Sequence, residues 1–248
     1  MSFHLTLIGI GTGNPEHLTL QAIRAMNAQD LILVPHKGAG KDDLAALRRS
    51  ICAEVITNTT TRIAEFILPT RNEATLDYRQ RVDDWHNEIA EVWQREITAN
   101  GAPQNVALLV WGDPSLYDST LRIAARLTPA PDITVIPGIT SLQTLTAAHA
   151  TVLNEIGAPF IVTTGRRLRD EGWPEGVDTV AIMLDAGSAF TAIPPEGIHI
   201  WWGAYVGMKE QIIIEGPLSQ VADEITKTRA KARANHGWIM DIYLMRKG

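Results

Sequence analysis

Glycines at 9, 11 and 13 lie in LIGIGTGN (7–14), directly behind a short apolar run and ahead of an amphipathic stretch. A strand, a glycine turn and a helix in that order point backbone N–H groups and the helix dipole at a ligand, which suits an anion or a nucleotide. The dinucleotide fingerprint needs glycine at 14 and an acidic residue at the end of the second strand. The chain has Asn14, and that strand ends in Val34-Pro35-His36 with Asp30 at its other end. A second glycine loop, KGAGKDD (37–43), has Pro35 and Asp42 where a phosphate-binding loop needs glycine and Ser or Thr, so it reads as a solvated loop before a helix. Asp113, Tyr117, His36 and Asp185 each follow an expected strand, and His17 follows the first glycine loop; these are the groups able to move a proton. Asp followed by Pro, as at 113–114, is also a common turn former, and a lone loop histidine is commonly a surface residue. Arg166, Arg167 and Arg169 form a cation cluster able to grip carboxylates. The bland reading is a solvated basic loop balanced by Asp170 and Glu171. Arg71, Lys37, Lys41 and Lys209 are further loop cations. The histidines at 4, 17, 36, 86, 149, 199 and 236 lack ligand spacing and Cys52 has no cysteine partner, so no metal site is expected.

The elements that must position these groups follow from hydrophobic patterning. Strands are expected at Phe3–Ile10, Asp30–Val34, Ala64–Leu68, Ala107–Trp111 and Ile133–Ile136. Helices are expected at Leu18–Met26, Asp42–Cys52 with Asp42 as N-cap, 79–98, Leu121–Leu127 and Ser141–His149. Apolar runs alternating with helices indicate a parallel sheet covered on both faces. The pattern then changes: strands at Phe160–Thr164, Thr179–Leu184, Ile198–Trp202, Gln211–Ile214 and Trp238–Met245, with one strong helix at Val221–Lys231. That run suggests a mixed sheet and a second domain. The expected division is 1–148 and 149–248, with a boundary near 118 as the alternative. Of the tryptophans, Trp85 and Trp93 fall on the core face of the long helix, while Trp111, Trp201 and Trp202 fall on strands near the candidate motifs.

A length of 248 residues gives about 1.7 domains' worth of chain. With 22 basic against 28 acidic residues the net charge is −6, which argues against nucleic acid as main partner. One cysteine, no 18-residue apolar run and an N-terminus without a basic leader point to a cytoplasmic protein with no membrane span.

Five segments occur in one order: GIGTGNPEHLTLQAIRAM (9–26), VWGDPSLY (110–117), VIPGITS (135–141), TVAIMLD (179–185) and IIIEGPLSQV (212–221). Together they resemble the tetrapyrrole methyltransferase family, which includes uroporphyrinogen and precorrin methyltransferases. The family opening is close to G-x-G-P-G-D-x-x-L-L-T-L, and here Thr12 replaces the proline and Asn14 the aspartate. GIGTGNPEHLTLQAI, KGAGKDDLAALRRSIC (37–52) and WWGAYVG (201–207) look like the branch that methylates a corrin precursor with loss of an acetyl group.

The resemblance implies two αβα domains, an N-terminal mostly parallel sheet and a C-terminal mixed sheet, with S-adenosylmethionine bound in the cleft between them. It implies cofactor contacts at Thr12, Trp111, Gly112, Asp113, Leu116, Thr140, Ser141, Leu184, Tyr205 and Val206. It further implies a polycarboxylate tetrapyrrole substrate met by Arg166, Arg167 and Arg169, and a homodimer. Methyl transfer to an electron-rich carbon calls mainly for positioning. Acetate loss calls for a base and oxyanion donors, with Asp113 and Tyr117 as the catalytic candidates. The nearest alternative is another member of the family, methylating a different macrocycle carbon or a diphthine-type acceptor; a nicotinamide-dependent oxidoreductase and a cofactor-binding module without catalysis are the alternatives from other classes.

Overall fold

A computed structural model describes residues 3–38 and 43–248 of the chain. The chain folds as two compact units, Met1–Thr140 and Ser141–Gly248. Lys41 and the N-cap expected at Asp42 lie outside the described residues.

The first unit runs β1 (His4–Gly9), α1 (Leu20–Asn27), β2 (Leu31–His36), α2 (Asp43–Val55), β3 (Arg62–Ile67), α3 (Tyr78–Ala99), β4 (Asn105–Val110), α4 (Thr120–Ala124) and β5 (Asp132–Ile136). Its sheet has the order β3-β2-β4-β1-β5, and every pair is parallel. The continuous apolar strands are explained by two cores. Alternate residues of a strand face opposite ways, so Leu5, Leu7, Leu31, Leu33, Val106 and Leu108 pack with Ile89, Trp93 and Ile97 of α3. Ile8, Ile32, Val34, Ala107 and Leu109 pack on the other face with Ala22 and Met26 of α1 and Ile51 and Cys52 of α2. Helix α1 starts two residues later than expected because Thr19 serves as its cap, its Oγ1 accepting from Ala22 N–H at 3.0 Å.

The second unit holds α5 (Ser141–Ala148), β6 (Phe160–Thr164), α6 (Gly165–Glu171), β7 (Thr179–Met183), β8 (Ile198–Ala204), β9 (Ile212–Pro217), α7 (Leu218–His236) and β10 (Asp241–Lys247). Its sheet is mixed, β6-β7-β10-β8-β9, with β6 and β7 parallel and the other pairs antiparallel. Its core joins Val180, Ile182, Ile200, Trp202 and Tyr243 to Leu218 and Ile225 of α7. Two expectations need correction. Residues 165–171 are a short helix, not a loop: Thr164 Oγ1 accepts from Arg167 N–H and Gly172 ends the helix with φ 78°. The last strand starts at Asp241, so Trp238 precedes it.

The first sheet switches direction at β1: the chain leaves it toward β2 and β3 on one side and reaches β5 on the other. Such switch points open a crevice beyond the carboxyl ends of the strands, where ligands bind in open α/β sheets. Three strand ends meet there through bare backbone. A Cβ built on Gly9 would stand 2.6 Å from Gly138 N, and one on Gly138 would stand 2.1 Å from Gly112 O. Gly11 and Gly112 form an antiparallel bridge, with Gly112 N–H donating to Gly11 O at 2.7 Å.

Gly138→Ala is therefore expected to destabilise the protein by at least about 3 kcal/mol, because the added methyl meets backbone that cannot rotate away. Gly101→Ala, at φ 85° with nothing within 4 Å, is expected to cost only about 1 kcal/mol. Chemical denaturation of both variants checks the contrast.

Candidate active site

The glycine contact sets where the other predicted residues fall. Gly11, at φ 70°, and Gly13, at φ 105°, carry the β1 turn through conformations that side chains resist. Thr12 lies between them, nearly buried, with its Oγ1 3.1 Å from His17 Nδ1. His17 closes a 3-10 turn, Pro15–His17, which Asn14 caps through a bond from Glu16 N–H to Oδ1 at 3.0 Å. His17 is half-buried, not the surface group that its loop position suggested.

The β4 turn begins at Trp111, one residue beyond the strand. Asp113 holds this turn to the β5 turn: its Oδ2 accepts from Gly138 N–H at 2.9 Å, and its Oδ1 accepts from Ser115 N–H at 2.8 Å and from the Ser115 hydroxyl. Burial alone would raise the Asp113 carboxyl, yet hydrogen bonds from the Ser115 hydroxyl, Gly138 N–H and Ser115 N–H hold it below the usual aspartate range. Leu116 is half-buried beside it, its N–H on Asp113 O at 3.2 Å. Tyr117 has φ 50° and is 44% exposed. Thr140 backs onto Gly112, its Cα 3.6 Å from where a Gly112 Cβ would stand, and Ser141 opens α5. Thr12, Gly112, Asp113 and Thr140 thus belong to one set of three neighbouring turns.

The second unit places its candidates at the ends of β7 and β8. Leu184 has φ 53° and is 65% exposed, an uncovered aliphatic group on a constrained turn. Asp185, next to it, is buried: its Oδ2 accepts from the Tyr243 hydroxyl at 2.7 Å and from Ala189 N–H, and its Oδ1 from Gly187 N–H at 2.9 Å. Its carboxylate therefore organises the loop. Tyr205 is buried, with φ 51°, and its hydroxyl donates to Trp238 O. Val206 is buried against Gly203, where a Cβ would stand 2.5 Å from Val206 Cγ1. Arg166, Arg167 and Arg169 lie exposed on α6. Arg167 binds Glu171 one turn on at 2.7 Å, and Arg169 faces Asp170 at 3.4 Å. Helix α6 joins the Leu184 loop because Gly165 packs against Asp185, with room for no Cβ.

One residue escaped sequence reasoning. Arg48 is buried in α2, its Nε donating to Leu109 O at 3.2 Å and its guanidinium 4.8 Å from the centre of the Trp111 ring. Burial pushes Arg48 down to about 10, against the pull of Asp118 and Cys52. Burial likewise pushes the Cys52 thiol up to about 11, with Arg48 pulling it down. Trp111 Nε1 is buried with no hydrogen-bond partner among the described residues. The available signal was spacing: Ala45, Arg48, Cys52 and Val55 fall at three- and four-residue steps, so a cation sits on the apolar seam of α2.

An open groove of about 850 Å³ beside α3 is lined by residues such as Glu91, Gln94, Arg95 and Arg126, none of them a predicted site residue. Among the described residues no cluster of three or more His, Cys, Asp or Glu could hold a metal ion. None of the described helices is long and apolar enough to cross a membrane.

Residues 4–222 match the sequence pattern of the tetrapyrrole (corrin/porphyrin) methylases. The chain belongs to that family. A precorrin-6A synthase [deacetylating] from a Sinorhizobium species is 47% identical over 249 residues, covering 98% of this chain and 95% of that protein. A crystal structure of a cobalamin synthesis related protein from Corynebacterium diphtheriae is 36% identical, with a TM-score of 0.84 over 100% of this chain and 99% of that one. Uroporphyrin-III C-methyltransferase from Thermus thermophilus, solved with S-adenosylhomocysteine, shares the fold at 16% identity and a TM-score of 0.59, covering 98% of this chain and 97% of that one. This tetrapyrrole methylase accordingly has the parallel and mixed five-stranded sheets that the resemblance implied.

Asp113→Asn tests the bridge between the β4 and β5 turns. The folded-state pKa is depressed, so the carboxylate's contribution is fully present above the unfolded aspartate value of about 3.9 and is lost as pH falls through the folded value. The variant is expected to lose about 1–2 kcal/mol at pH 7. Its deficit against wild type should shrink below about pH 4 in denaturation curves measured across that range.

Proposed function

We propose that this chain is an S-adenosylmethionine-dependent C-methyltransferase of cobalamin biosynthesis, which methylates C1 of precorrin-5 and releases acetate to give precorrin-6A. The observation that carries this reading is 47% identity over nearly the full length of a deacetylating precorrin-6A synthase. The chemistry of the turns fits the cofactor: Gly11, Gly13 and Gly112 take positive φ, and bare backbone is what lets a ligand approach closely. When bound, S-adenosylmethionine supplies an electrophilic methyl group on a sulfonium, and S-adenosylhomocysteine remains.

The chain's part is to hold the acceptor carbon in line with that methyl and to keep water away, which supplies most of the rate for such a displacement. Thr12, Trp111, Gly112, Leu116, Thr140 and Ser141 are the proposed cofactor residues of the first unit. Leu184, Tyr205 and Val206 are those of the second. Tyr205 would serve through its main chain, since its hydroxyl is taken by Trp238 O. Asp113 acts as a positioning residue, both carboxylate oxygens being engaged, and Tyr117 remains a proton carrier for the second half of the reaction. Arg166, Arg167 and Arg169 meet the macrocycle's carboxylates, so the cations of α6 draw a polyanion to a protein whose net charge is −6. The protein is further proposed to be a cytoplasmic homodimer.

Incubation with precorrin-5 and S-adenosylmethionine should give a product that has gained a methyl and lost the acetyl group by mass spectrometry. Methylation with the acetyl group retained would reject the deacetylating assignment. Calorimetry should show binding of S-adenosylmethionine and none of NADH.

Arg166→Glu with Arg169→Glu is expected to raise KM for the macrocycle on the order of tenfold, the size of a lost charge-assisted bond. The calorimetric Kd for S-adenosylmethionine should not follow. Equal weakening of both ligands would assign the arginines to folding.

A further inference from the structure

The carboxyl edge of the first sheet opens between β2 and β4. These strands pair only as far as Leu33 and Leu108, although they run on to His36 and Val110. Carbonyls of a central strand alternate between its two neighbours. Asn105 O accepts from Asp30 N–H on the β2 side, and Val110 O from Ile10 N–H on the β1 side. Leu109 O therefore faces the gap that β2 leaves, and Arg48 Nε donates to it at 3.2 Å. Filling that gap uses one of the five guanidinium N–H groups. The four on the terminal nitrogens have no acceptor among the described residues, and no described carboxylate pairs with the charge. Asp118, the acid that acts on it, accepts instead from Thr120 N–H at 2.6 Å. Arg48 is the one arginine or lysine buried among the described residues, and 9% of it stays accessible. The guanidinium carbon stands over the Trp111 ring, which occupies one face and leaves the N–H edge open. Trp111 Nε1 is a second buried donor with no acceptor. An unpaired buried cation is costly, and an apolar residue of similar volume is commonly neutral or stabilising in its place. Two unmatched donors at the mouth of a strand gap therefore call for an anion.

We propose that Arg48 binds a carboxylate of the macrocyclic substrate through its terminal N–H edge. The proposal rests on the tetrapyrrole part of the reading above and not on acetate release. A guanidinium fork matches a carboxylate with two parallel N–H bonds. Burial pushes Arg48 down only to about 10, so the group stays a cation at neutral pH. The strand order β3-β2-β4-β1-β5 sets Arg48 on the β2 side of β4. The glycine contact that gathers the proposed cofactor turns joins β1, β4 and β5. Arg48 thus lies one strand aside from those turns, where an acceptor molecule has the better claim. The amino-acid carboxylate of S-adenosylmethionine offers the same chemistry from another source, and the test separates the two.

Precorrin-5 affinity is read by tryptophan quenching without cofactor, and S-adenosylmethionine affinity by calorimetry without macrocycle. Arg48→Met is expected to weaken precorrin-5 on the order of tenfold or more, the size of a lost charge-assisted bond. Arg48→Lys should recover part of that loss, because it returns the charge without the fork. The Kd for S-adenosylmethionine should stay at the wild-type value in both variants. Thermal melts of Arg48→Met should stay close to wild type, as when an apolar side chain replaces an unpaired buried charge. Unchanged precorrin-5 affinity in Arg48→Met would overturn the proposal. Equal weakening of both ligands would overturn it too, assigning Arg48 to the shape of the β4 turn. Weakening of S-adenosylmethionine alone would overturn it by giving the carboxylate to the cofactor. Precorrin-5 that binds wild type without being methylated or deacetylated would fail the reaction proposed above and leave this comparison standing, because it reads affinity alone. A wild-type protein that does not bind precorrin-5 would overturn both.

Discussion

Gly9 and Gly138 meet each other and the Gly112 carbonyl at distances where a Cβ on either of them would not fit, and the arrangement of the first unit's strand-end turns follows from that contact. Three parallel strand ends brought together without side chains leave their turns as the exposed feature of the sheet's carboxyl edge. Once strand ends are this close, a side chain that ties them has to reach across a turn instead of filling a gap. Asp113 does so, accepting from the β5 turn while organising its own. The side chain of Thr12 is left to turn back on its own segment, and His17 is what it meets.

The second unit is organised by a buried charge in place of a bare backbone contact. The Asp185 carboxylate takes donors from Tyr243, Gly187 and Ala189, and burial and the neighbouring carboxylate push the Tyr243 hydroxyl well above its ordinary value, so it remains a donor. Arg229 reaches Asp185 O at 2.7 Å and pairs with the buried Asp241 at 2.8 Å. Gly165 packs on Asp185, so the arginines of α6 ride on this network. Partly buried pairs of this kind add little net stability, yet breaking one leaves a charge without its partner, which ties the loop's geometry to the integrity of the whole set.

Much of this architecture was legible in the residues. Continuous apolar runs announced strands buried on both faces, and the two opposing cores of β1, β2 and β4 are the reason those runs do not alternate. The order of the motifs carried the family. Helix α6 was missed because its charged stretch looked solvated, although Thr164 and Gly172 supply a cap at each end. Arg48 was missed because a cation on an apolar seam violates the pattern being sought. The meeting of Thr12 with His17 is a matter of turn geometry: five residues apart in a loop implies no contact until the glycine conformations at 11 and 13 are known. Tyr205 likewise combines full burial with a positive φ, neither of which sequence spacing reveals.

Cys52 is the chain's one thiol. It lies on the seam of α2, buried, with its ionisation pushed up to about 11. Reactivity toward alkylating agents and oxidants belongs to the thiolate and requires access, so the folded protein is chemically quiet at that position. The same burial makes the residue a built-in reporter. A reagent that labels Cys52 does so through opening of α2 from the sheet, and the labelling rate gauges how often the helix that carries Arg48 toward Trp111 lets go.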